Sequence, residues 1–331
     1  MDRVPEWLVL IPMVAAAAAV TLWVAGAIYY DVCGAGRWSR LIAAVWVVGV
    51  VVTFAVWQPT WQPFVALLGA TALFLVWWFR QKPSHARDWD PCAAVMPRAV
   101  RDGDAVTIEN VRHFEYRSLT DFDARYDTRT YRLSNLRGVD LLLFVWDVKL
   151  FGHPALVFDF GPDGRVCLSI EARLRRGQSY SLVRGLFRQQ ELIFVAADER
   201  DVILRRTKHG PPVDAYLYRF HAPLGEVRTA FLDYVDALNR LYETPRWYHG
   251  LAANCTTSFY RLPNSRWRID WRVIANGRLD RALYADGRLD RTLPFEELQR
   301  SSRLNEVANE APAEGFGDRI RRELEERRHD R

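Results

Sequence analysis

The sequence has few cysteines: there are four, and no two of them stand in a C-x-x-C pair. This spacing argues against a zinc ribbon, and four cysteines are too few for a disulfide framework in a domain of this size. The chain has 45 basic and 40 acidic residues, and no basic run carries interleaved aromatic residues. We therefore expect no bound metal, no cofactor and no nucleic-acid partner.

Charge is absent from the interior of three apolar runs near the start of the chain, Trp7 to Tyr30, Leu41 to Trp57 and Phe64 to Trp78. Tryptophan and tyrosine lie mostly at the ends of these runs, as in the aromatic belts of membrane proteins. The first run is too long for the apolar region of a signal peptide, and two further runs follow it. The pattern predicts three transmembrane helices over about 7–30, 41–57 and 64–79, and a lipid bilayer as a partner.

The rest of the chain mixes strand and helix patterns, which predicts an α+β fold. Val139 to Trp146 is almost continuously apolar, as expected of a strand buried on both faces, and Pro223 to Tyr242 has apolar residues at helical spacing. We expect a membrane region over 1–80, a linker over 81–90 and a soluble domain over 91–298. A charged tail over 299–331 would follow, and its end, from Phe316, is expected to be a solvated helix or disordered.

One hairpin is predicted in the middle of the soluble domain. His153 to Phe160 has the pattern of a strand, Gly161-Pro162-Asp163-Gly164 that of a turn, and Arg165 to Ile170 that of the returning strand. His153 opens the first arm. Ser169 or Glu171 would then lie near it on the second arm.

Cys255 is the cysteine whose surroundings suit a nucleophile. It lies among small and polar residues, after Asn254, and Ser258 to Leu262 has a helical pattern. A cysteine near a helix N-terminus is favoured as the reactive thiolate. The alternative is a buried structural thiol. Of the other three cysteines, Cys167 lies in an alternating apolar strand and is expected to be core.

A nucleophilic cysteine needs a base, and two histidines are candidates. His153 stands at a strand start, where a histidine is more often a core or edge residue. The pair is more informative than either member, because a histidine-bearing strand and a later cysteine-bearing helix are what a circularly permuted papain-type site requires. His249 is closer to Cys255 in sequence, but its Trp-Tyr-His-Gly setting is more typical of a packed turn.

Several short motifs make the chain recognisable between about residues 82 and 265. The most specific are Ala197-Asp198-Glu199-Arg200-Asp201 and Asn254-Cys255-Thr256-Thr257. The chain resembles the bacterial family named for the N-terminal periplasmic domain of Lnb, the lipoprotein intramolecular transacylase. The other motifs that carry the resemblance are Lys82-Pro83-Ser84, Arg87-Asp88-Trp89, Val111-Arg112, Tyr116-Arg117-Ser118, His153, Ser169-Ile170-Glu171 and Phe187-Arg188-Gln189.

The resemblance implies a cysteine–histidine site on a soluble domain with a circularly permuted papain/NlpC-like fold, an antiparallel sheet with packed helices. Carried over, Cys255 is the nucleophile and His153 the base. The mechanism that we expect from this pair uses backbone amides near Asn254 and Cys255, with the Asn254 side chain, to stabilise the oxyanion, and Glu171 or Ser169 to orient His153. The expected activity is a thiol-dependent acyl transfer or hydrolysis on a lipid or lipoprotein ester. Alternatives are a cell-wall amidase or peptidase with the same pair, and a non-catalytic membrane module with a structural Cys255.

The two sources of evidence on membrane orientation disagree. Arg37 and Arg40 in the first loop, with Arg80, Lys82 and Arg87 after the third run, weakly favour a cytoplasmic soluble domain by the positive-inside rule. The family resemblance implies a domain outside the cytoplasmic membrane. Because a few charges set orientation poorly, we expect a multi-pass protein of the bacterial inner membrane with a periplasmic domain.

Overall fold

A computed structural model describes residues 6–32, 34–57, 61–146, 151–250 and 276–329. The chain divides into two compact units. The helical unit contains Met1–His85, Tyr180–Glu191 and Trp247–Gly250, and the sheet unit contains Ala86–Ser179, Leu192–Arg246 and Leu251–Arg331.

Three long apolar helices form most of the helical unit, as the apolar runs predict. They are α1 (Glu6–Ala27), which continues into a π-helical turn at Ile28–Val32, α2 (Arg37–Val56) and α3 (Gln62–Arg80). Stretches of 25, 20 and 19 residues are each long and apolar enough to cross a membrane. At about 1.5 Å per residue they match a hydrocarbon core of about 30 Å.

Large apolar side chains on these helices point outward, as a lipid environment allows. Leu68 and Leu73 on α3 are 70% and 76% exposed. The helices contact one another through aromatic side chains: the Trp23 and Trp78 rings meet edge to face with centroids 5.2 Å apart, and Trp46 Nε1 donates to the Thr21 carbonyl at 3.1 Å.

Two later parts of the chain complete the helical unit. The first, Tyr180–Glu191, contains a loop with a 3-10 turn at Arg184–Leu186. Gly250 N donates to the Gly185 carbonyl at 2.8 Å, and Tyr248 N donates to the Gln190 carbonyl at 2.9 Å. These bonds hold the stretch 247–250 against the stretch 180–191.

An eight-stranded sheet forms the centre of the sheet unit, with the order β1-β2-β9-β8-β7-β6-β10 and β5 paired with β2. Strands β6, β7 and β8 form an antiparallel meander, and β10 pairs antiparallel with β6. A separate two-stranded ribbon joins β3 and β4. The strands are β1 (Arg98–Asp102), β2 (Ala105–Arg112), β3 (Glu115–Tyr116), β4 (Phe122–Asp123), β5 (Tyr126–Arg132), β6 (Gly138–Trp146), β7 (Gly152–Asp159), β8 (Arg165–Arg173), β9 (Glu191–Ala197) and β10 (Val213–Arg219).

The core of the sheet unit lies around β6 and β7, which are buried along nearly their whole length. Helix α5 (Leu224–Glu243) contacts this part of the core through Phe231, whose ring meets those of Phe158 and Phe160 edge to face. Cys167 on β8 is fully buried, which confirms its expected place in the core. The domain is therefore α+β, as predicted.

Among the described residues of the sheet unit, the helices are α4 (Glu199–Thr207), α5, α6 (Leu279–Ala285), α7 (Phe295–Ser301), α8 (Asn305–Glu310) and α9 (Phe316–His329). The expectation of a solvated or disordered end is wrong for α9, because Phe316, Ile320 and Leu324 are buried. These positions recur every four residues, so they line one face of the helix. Because most residues of this segment are charged, its composition alone does not reveal the apolar face.

Candidate functional site

His153 lies near the start of β7, and β8 runs antiparallel beside it. The register pairs Ala155 with Ser169. Since side chains alternate between the two faces of a strand, His153, Ser169 and Glu171 emerge on one face of this hairpin. Extending the register by two residues sets Glu171 opposite His153. The predicted proximity of Ser169 and Glu171 to His153 is confirmed.

Hydrogen bonds connect these three side chains in series. His153 Nε2 lies 2.8 Å from Ser169 Oγ, Ser169 Oγ donates to Glu171 Oε1 at 3.0 Å, and His153 Nε2 lies 3.7 Å from the same carboxylate oxygen. A serine hydroxyl has one hydrogen, which here goes to the carboxylate, so Ser169 accepts from Nε2–H. This arrangement fixes the imidazole in the tautomer whose basic nitrogen is Nδ1.

Arg206 on α4 binds Glu171, the last residue of this hydrogen-bonded series. Its Nη2 donates to Glu171 Oε1 at 2.6 Å, and its guanidinium carbon lies 4.8 Å from the centroid of the Phe144 ring. Burial by itself raises the pKa of Glu171, but the charge of Arg206 and the hydrogen bond and charge of His153 outweigh it, so the pKa is held well below its usual value. Glu171 is therefore a carboxylate at neutral pH and stabilises a positive charge on His153.

A second buried network joins α4 to β2. Asp201 accepts from Arg112 Nη2 at 2.7 Å and from Phe114 N at 2.7 Å, and from the Tyr116 hydroxyl at 3.3 Å. Arg112 and Asp201 are both buried. With every charge paired, this network fixes α4, and hence Arg206, relative to the sheet.

Comparison with known families identifies part of the chain. Residues 122–276 match the model of the family described as the Lnb N-terminal periplasmic domain, a little under half of the 331 residues. Over these residues the chain is similar to the Lnb N-terminal periplasmic domain family. No curated protein and no solved structure matches the chain.

The match confirms the family resemblance, although the motifs that we quoted before residue 122 lie outside it. The description of the Lnb family and the three apolar helices together indicate a membrane-associated periplasmic module. This agrees with the orientation that the resemblance implies and disagrees with the weak charge bias of the loops.

The described residues contain some of the predicted site of the Lnb region. His153, Ser169 and Glu171 are brought together as described above, whereas Asn254, Cys255 and the predicted helix at 258–262 lie outside the described residues. His249 lies in the helical unit and is half-buried. Among the residues that the structure describes, no group of His, Cys, Asp and Glu could hold a metal ion.

Cys92 is a half-buried thiol in the sheet unit. Burial raises its pKa to about 11, against the opposing charge of Arg205, whose Nη2 lies 3.1 Å from Cys92 Sγ. Burial likewise raises the pKa of Cys167. Neither thiol is readily ionised at neutral pH, so neither suits nucleophilic catalysis.

Arg206 is the site residue that the sequence analysis missed, together with the helix that presents it. The signal was present in the sequence. Asp198 caps the N-terminus of α4, Glu199 and Asp201 lie in its first turn, and Arg205 and Arg206 lie in its last turn. Acidic residues at the start and basic residues at the end are the charge order that a helix dipole favours.

Proposed function

We propose that this protein is a thiol-dependent acyltransferase or hydrolase in which His153 activates Cys255. The observation that carries the proposal is the chain His153–Ser169–Glu171–Arg206, which makes Nδ1 of the imidazole basic and places a carboxylate where it stabilises the imidazolium. The family match is a second support, since residues 122–276 include both His153 and Cys255.

The proposed reaction begins with transfer of the Cys255 thiol proton to His153 Nδ1. The thiolate attacks an ester carbonyl carbon and forms a tetrahedral oxyanion, which the Asn254 side chain and nearby backbone amides stabilise. The ester C–O bond then breaks, and the leaving alkoxide takes the proton from Nδ1. An amine or water then attacks the thioester carbonyl carbon and gives a proton to Nδ1. The C–S bond breaks, and the released Cys255 thiolate takes that proton back. Throughout the cycle, Ser169 and Glu171 hold the ring in place from Nε2.

The proposed substrate is a membrane lipid or a lipoprotein ester. Three helices that suit a bilayer precede the domain in the same chain, which favours substrates within reach of lipid headgroups. The same reasoning supports a multi-pass protein of the bacterial inner membrane with its catalytic domain in the periplasm. A circularly permuted papain/NlpC-like arrangement of cysteine and histidine is part of this proposal.

Mass spectrometry of the full chain tests the proposal. The protein, purified in detergent, is incubated with a synthetic peptide carrying a diacylglyceryl-cysteine, and intact mass and peptide mapping follow. We expect an acyl adduct on Cys255 that changes to an oxyester or disappears in Cys255→Ser and fails to form in His153→Ala. Cys92→Ser is the matched control and should acylate like the parent.

Other outcomes would reject the proposal. Acylation confined to Cys92 or Cys167 would exclude Cys255 as the nucleophile. Cleavage of an unlipidated cell-wall peptide, dependent on Cys255 and without any acyl adduct, would favour an amidase or peptidase. A complete lack of both reactions with either substrate class would favour a non-catalytic module.

A further inference from the structure

The loop between Tyr180 and Phe187 is attached to the first transmembrane helix. The Phe187 ring stacks on Tyr30 with centroids 5.0 Å apart, and Phe187 itself is buried. A Cβ atom placed on Gly26 would lie 2.5 Å from Phe187 Cζ, so the helix accepts this ring only because residue 26 is glycine. The loop therefore packs directly against α1.

Polar contacts fix the same loop at the ends of α1 and α3. Gln189 Nε2 donates to Asp31 Oδ1 at 2.9 Å and to the Tyr30 carbonyl at 2.8 Å. Arg188 Nη1 donates to the Gln81 carbonyl at 2.6 Å, and its guanidinium carbon lies 3.9 Å from the centroid of the Trp78 ring. Carbonyls at helix ends lack intrahelical partners, so these bonds satisfy groups that the helices leave open.

These contacts set the position of the loop along the direction of the spans. Trp78 Nε1 donates to Asp31 Oδ2 at 2.8 Å, which places the ends of α1 and α3 side by side. A carboxylate, an arginine and several aromatic rings at the end of an apolar helix are typical of the headgroup region, where charged and amphipathic side chains meet water. The loop is held at that level.

Leu182 and Val183 on this loop are 45% and 53% exposed, although both are apolar and adjacent. Tyr180, nearby, is 49% exposed and its hydroxyl lies 3.2 Å from that of Tyr248. We propose that Leu182 and Val183 insert into the headgroup and upper acyl region of the bilayer, so that the loop is a lipid-contacting element of the protein. Lipid at this level removes from water the two side chains that the protein leaves exposed.

The loop also contacts the stretch 247–250 of the helical unit. Gly250 N donates to the Gly185 carbonyl at 2.8 Å, and a Cβ atom placed on Gly185 would lie 3.4 Å from Gly250 N. The insertion rests on the contacts of the helical unit alone and holds whether or not Cys255 is a nucleophile.

Fluorescence quenching in liposomes tests the insertion. Variants of the full chain with one introduced cysteine, Leu182→Cys and Val183→Cys, are labelled with an environment-sensitive nitrobenzoxadiazole and reconstituted in phosphatidylcholine–phosphatidylglycerol liposomes. Doxyl-labelled phosphatidylcholine, with its quencher just below the headgroup, is then added to the lipid. Val100→Cys on β1 is the matched control, because Val100 is an equally exposed valine at 50%. Leu68→Cys on α3 is the control within a span.

The labelling background carries Cys33→Ser, Cys92→Ser and Cys255→Ser. Cys167 is retained because it is buried, and the parent without an introduced cysteine measures any label that it takes up. The thermal transition of each labelled variant in detergent checks its folding. A label at an exposed position should not change the transition temperature.

We expect quenching at residues 182 and 183 to reach about half or more of that at residue 68, with a blue-shifted emission, because the label enters an apolar phase. Residue 100 should be quenched no more than in liposomes without doxyl lipid. Quenching at residues 182 and 183 equal to that at residue 100 would overturn the proposal. A blue shift without lipid quenching would also overturn it, because it would show that protein covers these side chains.

Discussion

Replacing Arg206 with methionine removes the cation that faces the buried carboxylate of Glu171. The two side chains are 13% and 16% exposed and their atoms lie 2.6 Å apart. Breaking a buried ion pair from one side costs about 3–5 kcal/mol. Ser169 still donates to the carboxylate and Arg205 remains nearby, so we expect the lower end, about 3 kcal/mol for Arg206→Met. For a unit of this size the transition temperature should fall by roughly 6–12 °C.

A double-mutant cycle separates the pair from general damage to α4. Glu171→Gln leaves the Arg206 charge without its partner and should also lower the transition temperature. In the double variant, Arg206→Met with Glu171→Gln, neither charge of the pair is left without its partner. Its loss of unfolding free energy should therefore be smaller than the sum of the two single losses by at least about 1.5 kcal/mol. The assay is intrinsic tryptophan fluorescence during heating of the full chain in detergent. Arg205→Met tests whether the neighbouring arginine substitutes for Arg206.

Additive losses in this cycle would refute the coupling, and so would an unchanged transition in Arg206→Met. The pH dependence gives a second check. Because the folded pKa of Glu171 is lowered below the ordinary value of 4.5, its carboxylate contributes stability that is present above that value and lost as pH falls towards the folded pKa. Glu171→Gln should flatten the acid side of the stability profile below about pH 4.5 and change its shape little between pH 6 and 8.

Three further predictions concern the sheet unit. Arg321→Met removes the shared partner of the buried Asp140 and Glu199 carboxylates and should lower the free energy of unfolding by about 3 kcal/mol. Arg322→Met, at the exposed neighbouring position, should lower it by less than about 0.5 kcal/mol. Equal losses of stability in thermal melts would contradict this. Phe231→Ala should cost about 3–5 kcal/mol because its ring fills the space beside the sheet, and Leu224→Ala, at an exposed position on the same helix, should cost little. Cys92, whose pKa is raised to about 11, should react slowly with iodoacetamide at pH 8 and faster with each increase in pH; rapid alkylation at pH 8 would contradict the burial.

The hairpin and its histidine were predictable because local rules determine them. Gly161 and Gly164 mark a short turn, and a short turn fixes the register of the two strands that it joins. Once the register is fixed, the period of two sets His153, Ser169 and Glu171 on one face. The three apolar helices are equally local, since length and absence of charge are enough to recognise them.

The partner of Glu171 was not predictable in the same way. Arg206 is 35 residues from Glu171 along the chain and lies on a short, charged helix. The sequence contains many arginines and does not indicate which of them pairs with Glu171, because the pairing depends on how α4 packs on the sheet. For the same reason the buried face of α9 escaped a composition-based interpretation. The pairing of Cys255 with His153 stays a prediction.

The arginine at position 321 has a consequence for the order in which the domain is assembled. It bonds to Asp140 at 2.6 Å and to Glu199 at 2.9 Å, across 181 and 122 residues of chain. A ribosome makes residues 140 and 199 long before residue 321, so the growing chain carries these carboxylates without the cation that bridges them in the finished fold. Contacts of such long separation slow folding. The bridge between β6 and α4 therefore forms only after α9 has been made, although both elements that carry the carboxylates are made much earlier.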